Sequence, residues 1–129
     1  MEEQLITLSQ QFIARVRSDT GKDLYYDEES LEWADAWIEV NRTRISPGEM
    51  EILAAQIGAF FGQCLIHGYG GEWHIDNASD PHNASLLVRI NPKTGIYPFA
   101  KAFKHLRFGE SDSLYNFYES LPTIMGMQK

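Results

Sequence analysis

A single cysteine, Cys64, stands among the 129 residues. One thiol excludes a disulfide within the chain and agrees with a reducing compartment. Long apolar runs are missing as well: none approaches the roughly 20 residues that span a bilayer. The opening Met1-Glu2-Glu3-Gln4 is acidic where a secretory signal would be basic. The expected location is therefore cytoplasmic, with no membrane partner, and the sequons at Asn41, Asn77 and Asn83 are expected to go unused. There is no Gly-x-Ser-x-Gly elbow, no Gly-x-x-x-x-Gly-Lys phosphate loop and no Gly-x-Gly-x-x-Gly after a strand. His-Glu-x-x-His and paired Cys-x-x-Cys patterns are missing too. These absences argue against an enzyme and against a cofactor.

Basic residues are scarce: 11 Lys and Arg stand against 18 Asp and Glu, a net charge of -7. The excess is uneven, since residues 1–51 hold 12 acidic and 5 basic side chains and residues 52–129 hold 6 of each. Such a field repels nucleic acid and favours a basic protein partner. What the chain does have is apolar mass, 43% of its residues, with 3 Trp, 6 Tyr and 7 Phe. That composition and length suit one globular domain around one core.

Leu5, Leu8, Phe12 and Val16 form one stripe, which predicts an amphipathic helix over 3–18 ended by Gly21. Asp27 is placed to cap a second helix running to about Val40. Ser46-Pro47-Gly48-Glu49 has the form of a capping box with proline at the first helical position, so a long central helix is expected to start there. Within it Gly58 and Gly62, four apart, would let another element approach the backbone, and the run from Gly68 to Gly71 would stop it. Alternation over 72–77 and 85–91 predicts two paired strands, with a short third strand at Ile96-Tyr97. Pro98 opens a helix to about Phe108, and a last helix, capped by Ser111 or Asp112, is expected to end at Pro122. The fold class is α+β: a helix-rich single domain with a small antiparallel sheet of two or three short strands packed against a long central helix. The domain covers residues 1–129, with 1–45 as an N-terminal helical part and 46–129 supplying the central helix, the hairpin and two C-terminal helices.

Three clusters are candidates for function. Trp33 and Trp37, with Glu28, Glu29, Glu32, Asp35 and Glu39 around them, have the makeup of a partner-binding surface, in which aromatic anchors sit within a charged rim. His74, Asp76 and His82 surround the hairpin and would suit a divalent metal if they converged. Lys101, Lys104 and Arg107, with His105, line one side of a helix and would suit a phosphate or an acidic patch, although bases near a helix C-terminus also complement its dipole. Cys64 lies on an apolar helix face, where a thiolate is disfavoured.

Gly58 and Gly62, Gly71-Glu72-Trp73, Tyr97-Pro98-Phe99-Ala100-Lys101 and Gly109-Glu110-Ser111-Asp112-Ser113-Leu114 leading to Phe117-Tyr118 resemble an uncharacterised family of small bacterial cytosolic proteins, a domain of unknown function found near secreted-toxin genes. The resemblance covers roughly residues 54–121 and implies no catalytic residue. The resulting expectation is a non-catalytic binding protein, in its most specific form an immunity protein that neutralises a basic toxin through the acidic, aromatic second helix. The alternatives are a small metal- or ligand-dependent enzyme built on the hairpin histidines and a structural subunit of an assembly.

Overall fold

The computed structural model describes residues 2–76 and 85–126. Along them run α1 (Glu2–Thr20), α2 (Glu28–Asn41), α3 (Pro47–Tyr69), β1 (Glu72–Asp76), β2 (Ser85–Asn91), β3 (Thr94–Ile96), α4 (Pro98–Phe108) and α5 (Leu114–Ile124). Short 3-10 turns occupy Arg42–Arg44 and Glu110–Asp112. The architecture is α+β, with a three-stranded antiparallel sheet in the order β1-β2-β3 against a long central helix.

α3 is that helix, packed against α1 on one side and against α4 and β2 on others. Its 23 residues are long and apolar enough to pass for a membrane span, yet most of that window is buried inside the protein. A helix apolar nearly all round belongs in a core, and Leu53, Ile57, Phe60, Phe61 and Leu65 are all shut off from solvent. α1 meets it with Leu5, Phe12 and Val16, and the Phe12 ring lies 5.3 Å from Phe60 and, edge-on, 5.5 Å from Trp37. Three helices thus meet at one aromatic cluster.

The glycines of α3 set how closely the second half of the chain can approach. A Cβ at Gly58 would stand 2.9 Å from the Cα of Phe99, and one at Gly62 would enter the Trp73 indole. Trp73 lies in a row across the sheet, pairing with Val88, which pairs with Ile96. All three are buried. The Trp73 Nε1 donates to Gln63 Oε1 at 2.9 Å, so the indole enters the core with its one donor satisfied. Gly70 and Gly71, at φ +79° and +110°, turn the chain from α3 into β1.

Four local expectations need correction. Ser46 precedes α3 but its hydroxyl caps no amide; it donates to Glu49 Oε1 at 3.1 Å instead. The cap of α5 is Ser113, which accepts from the Asn116 amide at 3.1 Å, because Ser111 and Asp112 are consumed in the preceding 3-10 turn. Pro122 lies within α5, which continues to Ile124. A helical proline leaves the carbonyl four residues earlier without its donor, and that carbonyl, on Tyr118, is taken by the Tyr69 hydroxyl at 2.7 Å. The third strand runs from Thr94 to Ile96 and stops short of Tyr97, the residue preceding the first turn of α4.

Gly62→Ala should lower stability by about 1–3 kcal/mol through overpacking on Trp73. Gly48→Ala, where an added Cβ meets nothing within 4 Å, should change it by less than about 1 kcal/mol, in the stabilising direction; urea denaturation of the two variants checks the contrast. A second outcome concerns alkaline pH. Burial holds the Tyr118 phenol neutral, raising it from its ordinary value of 10 to about 12. The folded chain then keeps a proton that the unfolded chain releases, so this contribution is complete below pH 10 and is lost as pH rises to about 12. Tyr118→Phe should flatten the alkaline limb of a stability profile measured at fixed ionic strength.

Candidate functional site

α2 presents two different faces. Its inner face combines a buried apolar stripe, Leu31, Ala34, Trp37 and Ile38, with a charged and hydrogen-bonded junction. Asp35 Oδ1 accepts from the Tyr115 amide at 3.0 Å, and Oδ2 accepts from the Ser113 hydroxyl at 2.8 Å. The carboxylate thereby sits at the positive end of α5, where a negative charge is favourable. One turn on, Glu39 Oε1 lies 2.9 Å from His105 Nε2, while Asp35 Oδ1 lies 3.4 Å from Nδ1 of the same ring. His105 is fully buried, so α4 reaches α2 through an imidazole held between two carboxylates. Beyond α2, Arg42 Nη2 donates to the Arg107 carbonyl at 2.9 Å. That guanidinium lies against Gly109, close to the negative end of α4.

The outer face carries what remains. Glu29 and Glu32 are exposed, as is Glu28, and Trp33 is half-buried. Trp33, Ala36, Trp37 and Val40, spaced as one stripe of α2, line a groove of about 520 Å³ together with Asp19 and Thr20 at the end of α1. Val40 is 61% exposed, while Trp37 is only 4% exposed and forms the floor. The Trp37 Nε1 donates to Asp19 Oδ2 at 3.3 Å, and the Arg15 guanidinium lies 5.7 Å from the centre of its ring. Asn41 and Arg44 also line the groove.

The seven residues expected to form one partner surface are therefore divided. Asp35 and Glu39 are committed to α4 and α5, and Trp37 is core, whereas Glu28, Glu29, Glu32 and Trp33 look outward. Spacing along α2 marks this split only partly. Asp35 and Glu39 share a face four residues apart, yet their partners lie 66 to 80 positions away, beyond the reach of any local pattern. Val40 was missed, although it falls seven residues after Trp33 on the same stripe.

The histidines lie in different settings. His74 is in β1, half-exposed, with Nε2 3.6 Å from Glu72, and Asp76 closes the same strand. His82 lies outside the described residues. His67 stacks on Tyr26 with ring centres 5.1 Å apart. Among the described residues no three of His, Cys, Asp and Glu form a group that could hold a metal ion. Cys64 is fully buried, and that burial pushes its thiol up, so it stays protonated and poorly nucleophilic. No protein family matches the chain, and neither does any curated protein or solved structure.

His105→Ala should lower stability by about 2–4 kcal/mol, since it leaves Asp35 and Glu39 facing one another without the imidazole between them. Glu29→Ala, on the outer face of the same helix, should move it by no more than about 0.5 kcal/mol. Chemical denaturation of the pair separates the inner face of α2 from the outer one.

Proposed function

We propose that the chain is a non-catalytic binding protein that engages a basic protein partner through the outer face of α2. The observation that carries this reading is the groove beside Trp33. It is a depression of mixed lining in which Trp33, Ala36, Trp37 and Val40 form an apolar stripe beside Asp19, Thr20, Asn41 and Arg44, and Glu29 lies one turn before Trp33. Aromatic anchors in partly desolvated pockets, ringed by charge, are where binding energy concentrates. Carboxylates on the rim favour cationic partners and speed their encounter. The uneven charge supports the same reading, because the whole excess of -7 lies in residues 1–51.

The specific form of the proposal is an immunity protein, acting in the bacterial cytoplasm to neutralise a basic toxin. Its support is the acidity of α2 and the resemblance to small cytosolic proteins found beside toxin genes. A toxin-blocking role demands tight binding and no turnover. The groove suits the former, and a rigid α2 reduces the ordering that binding must impose.

A basic protein captured from the native host by the purified chain is then measured directly against variants. Trp33→Ala should weaken its binding about 30-fold or more. Glu28→Lys/Glu29→Lys/Glu32→Lys should slow association and reverse its dependence on salt. Asp35 and Glu39 stay unchanged in this test, since reversing them would disrupt the His105 junction. Equal affinity of the natural chain and both variants would overturn the proposal, provided their melting temperatures agree.

A further inference from the structure

A different cavity, about 260 Å³, opens between α4 and the start of α5, with Lys101, Lys104, Ser111, Asp112, Asn116 and Phe117 among its walls. Lys101 and Lys104 are one helical turn apart. The Lys101 ammonium lies 3.7 Å from the centre of the Phe117 ring, which fixes it over the aromatic face. Neither lysine forms an ion pair with any described residue, although acidic side chains outnumber basic ones by 18 to 11. Burial and the charge of Lys104 both lower the Lys101 pKa, with Asp112 opposing them. Two adjacent cations, one of them partly withdrawn from water, thus share one nearby carboxylate, Asp112, without forming an ion pair with it.

The other polar groups at the cavity divide into used and unused. Ser113 donates to Asp35 and accepts from the Asn116 amide, and the Ser120 hydroxyl donates to the Phe117 carbonyl. The Tyr115 amide is taken by Asp35. The first amides of α5 are thus occupied, and the lysines, not the helix end, give the cavity its character. The Ser111 hydroxyl and the Asn116 side-chain amide have no partner among the described residues.

We propose that this cavity binds a phosphate monoester, with Lys101 and Lys104 neutralising the dianion and Ser111 donating to one of its oxygens. Two cations match two negative charges, and Lys ammonium groups are effective phosphate ligands as point charges. The volume falls just below that of pockets for drug-sized molecules, about 300–1,000 Å³, which leaves room for the phosphoryl group and a small attached portion. Asp112, on the same wall, would accept from a hydroxyl or ammonium group of the ligand. The site therefore favours a phosphate that carries a hydrogen-bond donor nearby, as O-phosphoserine does. This inference is independent of the groove on α2.

Amide spectra of the isotope-labelled chain, recorded during titration at constant ionic strength with inorganic phosphate, O-phosphoserine and a phosphoserine peptide, test it. The expected result is saturable shifts confined to residues 101–120, half-complete at about 1 mM or below, and tighter for O-phosphoserine than for inorganic phosphate. Tighter binding still of the peptide assigns a phosphorylated protein as the source, and equal binding assigns a free phosphomonoester. Lys104→Glu, on an exposed side chain, should weaken the O-phosphoserine response at least tenfold, and Lys101→Gln should do the same if it folds. Shifts that spread over all lysines, fail to saturate by about 10 mM, or persist unchanged in Lys104→Glu would overturn the assignment.

Discussion

The carboxylate of Asp35 ties α2 to two other helices at once. It accepts from the Ser113 hydroxyl and the Tyr115 amide and lies beside His105, so one side chain of α2 sets the positions of α4 and α5 together. Each tie exploits a helix end or a buried ring, where a charge interacts more strongly than on open surface. Arg42 repeats the device with opposite sign at the far end of α4. α2 is consequently clamped to the C-terminal helices through their termini, while α3 holds the whole against α1 by apolar packing. The two modes differ in what they specify: burial of apolar area tolerates sliding, whereas paired hydrogen bonds to one carboxylate admit one register.

That register determines what α2 shows to the outside. Because Asp35 and Glu39 turn inward, the acidic character of the outer face rests on Glu28, Glu29 and Glu32, all in the first turns of the helix. The stripe from Trp33 to Val40 is then free of carboxylates and forms the groove. A helix that used all its acids as solvated surface would carry no such boundary between charged and apolar zones. The separation is a consequence of the internal clamp, and it is what gives the outer face the makeup of an interface.

Much of this was legible in the residues themselves, wherever a signal was local. Asp27 caps α2 by accepting the Ser30 amide at 2.8 Å, Gly58 and Gly62 admit Phe99 and Trp73, and the strand alternation yields the pairing of Trp73 with Val88. Each depends on residues a few positions apart or on an intrinsic property of glycine. Local signals mislead where a distant partner decides the outcome. Pro122 sits inside α5 because Tyr69, 49 residues from Tyr118, supplies the missing donor to its carbonyl. Ser46 is a local exception: its hydroxyl binds the carboxylate of Glu49, three residues on, instead of capping an amide. At the candidate site, charge and tryptophan content pointed to α2, yet which of its acids face outward depends on Ser113, Tyr115 and His105 and is invisible from α2 alone.

The two surface features also differ in how they meet the protein's own field. The groove lies in the part of the chain that carries the entire net charge, so an arriving cationic partner is drawn towards it from a distance comparable to the Debye length, about 8 Å at physiological salt. The lysine cavity lies in the electrically balanced part, where 6 acids meet 6 bases, and its two cations are not offset by ion pairs. The cavity is built from α4, the turn after it and the start of α5, and it adjoins the Asp35 junction through Ser113, which lines the one and donates to the other. The two candidate sites therefore differ in charge: the first turns of α2 carry Glu28, Glu29 and Glu32, whereas the cavity carries Lys101 and Lys104 beside one carboxylate, Asp112.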